Sequence, residues 1–443
     1  MMSATFLAAN LLVLTLTASA QTPPAPAATT ASSPMLDPLR FNDGTPVTSA
    51  KQWPARRAEI FQIFEREEYG QRPQGAEKKL RWHVDEVAPV TSGSLAGIAL
   101  RKRITLFFPA PSAAIAHQFP HTAREMHLLL YTPLAKKSER VPVVLGVSFA
   151  GTWATADDPG VPLGTAWPTG LPDRDLAFTD AHPATEADRT HQLIQGHSQW
   201  QARKILQHGF GLATFYYADL EPDGKGGWPF GVRPLFFRPG QTAPAVGDWG
   251  AFSVWAWGSS RALDYLQTDP NVDPLHVAIT GHSRLAKTAD WTSATDTRFW
   301  LLLSNEGGKA GDSILHRLQG EPIAHLWDKF PYWFTPAFGH WSGRDAETPF
   351  DGNLLISLTA PRPIYVGSAV GDAWSDPLGE FLSAKDVGRV YALFGKQGLG
   401  VDEQPPLDTP VMHDIGYHLR SGKHDVTAFD WDAYLTFMEM HLH

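Results

Sequence analysis

The chain has 443 residues, with 37 Lys and Arg against 46 Asp and Glu, so its formal charge of −9 builds in no broad attraction to phosphate backbones or anionic lipid. Apolar residues at 43% and charged residues at 19% suit a packed globular protein and exclude a disordered or coiled-coil chain. With no cysteine at all, disulfide frameworks, thiolate nucleophiles, iron–sulfur clusters and Cys-type zinc sites are excluded together.

The apolar run 6–17 is followed by Ala18-Ser19-Ala20, a small-x-small cleavage pattern. Residues 1–20 therefore read as a secretory signal, because about twelve apolar residues fall short of the roughly 20 needed by a spanning helix. Residues 21–37, rich in Pro, Ala, Thr and Ser, are expected to form a disordered linker. A single catalytic domain is expected over 38–443, exported to the periplasm or outside the cell, with no membrane attachment after cleavage. It is expected to act as a monomer and to bind no nucleic acid.

From about residue 125, short apolar runs alternate with helical patterns. Strands are expected at 127–132, 141–146, 211–217, 276–280, 300–304, 363–367 and 390–394, and helices at 198–208, 248–267, 284–295, 377–385 and 429–442. Such alternation implies an α/β sheet, mostly parallel, with helices on both faces. The stretch 151–195 is long, irregular and aromatic, and is read as an active-site wall. The basic run 101–103 reads as a solvated strand face.

Residues 276–287 place an apolar strand, a tight Gly-x-Ser turn and a helix-prone run in succession. In that context a serine is raised at the carboxyl end of the sheet above a helix N-terminus, which makes Ser283 the candidate nucleophile. The competing reading is a serine that caps an ordinary helix. Gly281 lets the strand approach closely, whereas Leu285 stands where the usual G-x-S-x-G pattern has its second glycine.

A serine hydroxyl needs an imidazole to take its proton, and the imidazole needs a carboxylate to orient it. The base is expected in a loop after the last strand, where His413, His418, His424, His441 and His443 stand. His424, in a turn before the final helix, is the favoured base and His418 the alternative. Two acids occupy sensible positions: Glu306 follows the strand after the elbow, and Asp372 follows the next one. No H-E-x-x-H or clustered-histidine spacing occurs, so neither a metal nor another cofactor is expected.

Six motifs carry a resemblance: Gly281-His-Ser-Arg-Leu-Ala-Lys287, Ser304-Asn-Glu-Gly307, Gly320-Glu-Pro with Phe330-Pro-Tyr-Trp-Phe334, Ala360-Pro-Arg-Pro-Ile364, Asp372-Ala-Trp-Ser-Asp-Pro-Leu-Gly-Glu-Phe381 and Gly422-Lys-His424. In this order and spacing they resemble the bacterial branch of the glucuronoyl esterases of carbohydrate esterase family fifteen. The resemblance implies an α/β-hydrolase fold, a three-layer sandwich with long loop insertions around the site. It also implies cleavage of the ester between 4-O-methyl-glucuronic acid of glucuronoxylan and lignin alcohols. Carried over by position, Ser283 becomes the nucleophile, His424 the base, Glu306 the usual acid and Asp372 a second acid. Arg284 becomes the stabiliser of the oxyanion, and Lys287, Glu321 and Trp374 become ligands of the uronate sugar; Trp153 and Trp167, in the long insertion, are read first as packing and second as an extension of that platform. Ala286 stands where the family usually has glycine, Asp351-Gly-Asn replaces a common D-Q-H, and Lys309 sits unusually near the acid. These departures keep open an esterase of different acyl specificity such as a xylan deacetylase, and the Trp-rich loops keep open a silent carbohydrate-binding relative.

Overall fold

Strands that lack polar–apolar alternation belong inside a sheet covered on both faces, and the middle of this chain supplies them. The computed structural model describes residues 34–168, 174–195 and 199–442. The expected signal peptide and the linker as far as residue 33 lie outside the described residues. The strands are β1 (Arg81–Pro89), β2 (Ala99–Phe107), β3 (Glu125–Pro133), β4 (Val141–Ser148), β5 (Thr165–Ala166), β6 (His182–Pro183), β7 (Gly211–Tyr216), β8 (Val272–His282), β9 (Leu301–Asn305), β10 (Ile364–Ala369), β11 (Val411–Met412) and β12 (Ile415–Arg420).

Ten of them form one sheet in the order β1-β2-β3-β7-β4-β8-β9-β10-β12-β11, while β5 and β6 pair separately. The central strands from β7 to β12 run parallel, flanked by antiparallel β1, β2 and β3 on one side and β11 on the other. Successive side chains of a strand point to opposite faces, and the two apolar cores divide accordingly. Leu128, Leu130, Ile279 and Leu302 join the core beneath helices Trp53–Phe64, Ala251–Leu266, Arg284–Thr295 and Pro377–Ala392. Leu129, Tyr131, Ala278 and Leu303 join the core beneath Ala202–Gln207 and Ala428–Met440. The result is the three-layer α/β-hydrolase arrangement. Trp53, Trp255, Trp257, Trp291 and Trp431 are spent on these cores.

Three expectations are corrected. Residues 390–394 are the end of helix Pro377–Ala392 and its cap, not a strand. Val387, Val390 and Tyr391 recur at helical spacing and are buried, and a short apolar run alone does not separate a strand from a buried helix. The sheet takes β12 instead. Arg101 and Lys102 are buried, not solvated. Arg101 donates to Asp158 at 2.7 Å and to Glu86 at 2.9 Å, and Lys102 Nζ lies 2.5 Å from Asp269. Finally, residues 34–37 are docked: the Pro34 carbonyl lies 3.0 Å from His316 Nδ1, and the Leu36 carbonyl accepts from Asn353 Nδ2 at 2.7 Å.

Candidate active site

Strand β8 ends at His282 and helix Arg284–Thr295 begins one residue later, so Ser283 alone makes the turn. It does so at φ 58°, ψ −129°, a left-handed conformation that costs a non-glycine residue about 1–3 kcal/mol and that concentrates at functional sites. The backbone N–H of Ser283 donates to the Asn305 carbonyl at 2.9 Å, which ties the turn to β9. A Cβ at position 281 would lie 1.9 Å from the Leu285 carbonyl oxygen, so only glycine fits there. Leu285 is itself fully buried, and the elbow closes with one glycine in place of two.

The next two parallel strands beyond β8 deliver the acids. Glu306 follows β9 at a positive φ of 50°, and its N–H donates to the Gly367 carbonyl on β10 at 2.8 Å. Asp372 follows β10, and its carboxylate accepts from Ser375 Oγ at 2.5 Å. His424 follows β12 and reaches both. Its Nδ1 lies 2.6 Å from Asp372 Oδ2 in hydrogen-bonding geometry. Glu306 Oε2 lies 2.7 Å from the same nitrogen but off the line of a hydrogen bond. Arg420, at the end of β12, holds the other oxygen of Glu306 at 2.5 Å and pairs with Asp430 at 2.9 Å.

This arrangement sets the charges. Burial raises Glu306 to about 7, only partly offset by His424 and Arg420. Asp372 is pushed upward by burial too, but the hydrogen bonds from His424 and Ser375 outweigh it and hold the carboxyl well below its usual range. For His424, burial alone would lower the imidazole; the two carboxylates outweigh it and lift the group to about 9. The alternative base, His418, is fully buried between Tyr365 Oη at 3.0 Å and Asp430 at 2.9 Å, and does not line the cavity at Ser283.

A cavity of about 540 Å³ opens over the elbow and is lined by Ser283, Arg284, His282, His424, Phe149 and Trp167, with further residues of the 151–195 stretch. The described part of that stretch forms a wall, as its composition suggested, and the buried Arg101–Asp158 pair anchors it to β2. Trp153 also lines the cavity but is buried, so it packs the wall. Arg284 donates to Asp223 at 2.9 Å and lies over the rings of Phe149 and Trp333. Asp223 also accepts from Tyr217, Tyr332 and Trp333, and thereby fixes the guanidinium.

The expected sugar ligands separate into two groups. Trp374 is 38% exposed, two residues past Asp372; its carbonyl accepts from the Glu321 N–H at 2.9 Å, and its ring packs edge-on against His325, which also faces Glu321 at 3.5 Å. Lys287 departs from the expectation. It is buried, with its ammonium donating to the Gly307 carbonyl, and like Glu321 and Trp374 it is not among the residues lining the cavity at Ser283. Of the departures noted in the sequence, Asp351 caps helix Gly352–Ser357 and Lys309 pairs with Asp376. Asp223 and Arg420 escaped the sequence reading: Glu-Pro-Asp-Gly reads as a turn, and an arginine ending a strand reads as solvated. Asp430 had a visible signal, the Thr427-x-x-Asp430 capping box, but that signal speaks only of helix initiation.

An elbow serine, an imidazole paired to carboxylates and a three-layer sheet together define a hydrolase of the α/β type. A family model described as glucuronyl esterase of fungi matches residues 244–395. A carbohydrate esterase from an unknown prokaryotic organism is 38% identical over 412 residues, spanning 92% of this chain and 89% of its own. Among solved structures, the glucuronoyl esterase from Solibacter usitatus is 43% identical with a TM-score of 0.83, covering 93% of this chain and 99% of that one. A promiscuous esterase of family CE15 from a marine bacterial metagenome is 37% identical with a TM-score of 0.79, covering 93% and 98%. The chain belongs to this family, the glucuronoyl esterases of carbohydrate esterase family 15, and is a carboxylic-ester hydrolase.

Proposed function

We propose that this chain is an exported serine esterase that cleaves the ester between 4-O-methyl-D-glucuronic acid of glucuronoxylan and lignin alcohols, through an acyl-enzyme on Ser283. The observation that carries this reading is the His424 imidazole, hydrogen-bonded at Nδ1 to Asp372 with Glu306 beside it, and lining the same cavity as Ser283. Among the described residues no hydrogen bond joins Ser283 to His424, and such contacts commonly tighten only when substrate is bound.

Ser283 Oγ attacks the C6 carbonyl while His424 Nε2 takes its proton. The developing oxyanion is met by the Arg284 backbone N–H at the helix start and by the guanidinium that Asp223 fixes; one such donor contributes about 3–4 kcal/mol. His424 then protonates the departing alcohol, and water releases the uronate along the reverse path. Glu321 and Trp374 suit a pyranose, one by accepting from hydroxyls and the other by stacking. An aromatic alcohol suits the ring group Trp167–Phe230–Phe178–His121, whose Trp167 lines the cavity and whose Phe178 and His121 stack at 3.8 Å. The run 6–17 with Ala18-Ser19-Ala20 supports export, checked by a mature N-terminus at Gln21.

The test is hydrolysis of benzyl glucuronate against acetylated xylan and aryl acetates, before and after Ser283→Ala. Turnover of the glucuronate ester that disappears in the variant is expected. Full activity in Ser283→Ala removes the serine mechanism, and preference for acetyl esters removes the uronate specificity.

A further inference from the structure

Beside the triad stands a histidine it does not use. His282 precedes the nucleophile, lines the same cavity, and has its ring centroid 4.4 Å from that of His424, with Phe149 edge-on at 6.3 Å. Its Nδ1 lies 2.7 Å from Asn305 Oδ1. The amide nitrogen of Asn305 donates to Asp430 Oδ1 at 3.1 Å and to Tyr434 Oη at 2.7 Å. Reversing that amide would set an oxygen against a carboxylate held ionised by His418 and Arg420. The oxygen of Asn305 therefore faces His282, and His282 Nδ1 must carry the proton.

Burial, and next the neighbouring His424, lower His282 to about 3, so the ring is neutral throughout the working range. A neutral ring protonated at Nδ1 presents a bare lone pair at Nε2, and among the described residues no donor meets it. A ring nitrogen of His282, a ring nitrogen of His424 and a carboxylate oxygen of Glu306 all lie within 4.8 Å of one another. One water donating to two acceptors at about 2.8 Å each spans roughly 4.5 Å.

We propose that His282 is a second catalytic residue, acting in deacylation alone: its Nε2 accepts a hydrogen bond from the hydrolytic water and aims that water at the acyl carbon. The inference rests on the serine esterase reading. The water oxygen bonds to C6 as one water proton passes to His424 Nε2. The C6–Oγ bond then breaks, and Ser283 Oγ recovers that proton from His424. The second water hydrogen, directed at His282, stays on the released acid, so His282 takes no proton. Acylation places no water there and does not call on His282.

His282→Phe keeps a ring against His424 without the acceptor, and His282→Gln keeps an acceptor without the ring. Stopped-flow release of the alcohol from an aryl glucuronate and intact-protein mass spectrometry after acid quench read the two half-reactions. In His282→Phe a rapid burst of alcohol is expected, with accumulated acyl-enzyme and kcat and KM both reduced about tenfold, so that kcat/KM stays within about twofold of the parent; His282→Gln should recover part of kcat. A parallel fall in kcat and kcat/KM without a burst overturns the proposal in favour of packing against His424, and unchanged turnover in both variants overturns it outright. If His282→Phe does not fold, His282→Leu, which also lacks the acceptor, is read by the same criteria. Persistence of activity in Ser283→Ala, by contrast, strikes the underlying mechanism and not this step alone.

Discussion

Two carboxylates share one imidazole nitrogen, yet they are not equivalent. Asp372 takes the hydrogen bond, whereas Glu306 stands beside it with its second oxygen committed to Arg420. Asp372→Asn is therefore expected to lower kcat on the order of 10²–10⁴-fold and, because that carboxyl is held well below its usual range, to lower the melting temperature at neutral pH as well. Glu306→Gln should spare more of kcat and, because burial favours the protonated carboxyl there, should flatten the loss of stability between pH 6 and 8. His424 must be neutral to accept the Ser283 proton, and its carboxylates lift it to about 9, so the acid limb of the kcat/KM profile lies well above that of free imidazole. Removing Asp372 takes away one group that holds the proton, and the limb should move to lower pH; a limb unchanged in Asp372→Asn would mean that Glu306 governs the base. Ser283 and both acids were legible as residues in the sequence because each stands just past an expected strand, whereas His424 was picked out by its turn before the final helix, since β12 was not read as a strand. The ranking of the acids was not, since it depends on Arg420, which approaches from β12, 114 residues beyond Glu306.

Elements show why some readings transferred and others did not. Elbow chemistry is local: Gly281, Ser283 and the helix start lie within four residues, and a sequence displays such a turn directly. Gly281→Ala should abolish soluble protein or cost at least about 3 kcal/mol, because its methyl would meet the Leu285 carbonyl at 1.9 Å and neither backbone segment has room to shift; wild-type melting of that variant would contradict the elbow geometry. Helix Pro377–Ala392 was misread at its end because its buried face carries β-branched and aromatic residues that suit a strand equally well. Lys287 likewise reads as a helix lysine one turn past the serine. Its inward course depends on the Gly307 carbonyl and on the buried carboxylates of Glu68, Asp290 and Asp312, which come from separate parts of the chain.

At the scale of the molecule, the fold class followed from alternation of runs, and the two cores match it. What the sequence hid was ionisable burial. Glu68 is raised to about 8 and Asp312 to about 6, each chiefly by burial, and Glu306 to about 7. Groups with raised folded values bind more protons native than unfolded, so the stability they contribute is complete below about pH 4 and is lost as pH rises through 6 to 8. His424 acts in the same sense between its free value and about 9. The melting temperature should therefore decline from pH 5 to pH 9 even as turnover climbs, and calorimetry at matched ionic strength checks it; a melting temperature that rises across that interval would show these acids to be ionised in the native state.

The Arg420 guanidinium joins Glu306, from the middle of the chain, to Asp430, which belongs to the closing helix Ala428–Met440. During synthesis the serine elbow and both acids leave the ribosome well before that helix does. Until the closing helix emerges and docks, Arg420 lacks one of its two anions and Asn305 lacks both groups that orient its amide. The order that fixes Asn305 and Glu306 thus waits on a helix more than a hundred residues further along the chain.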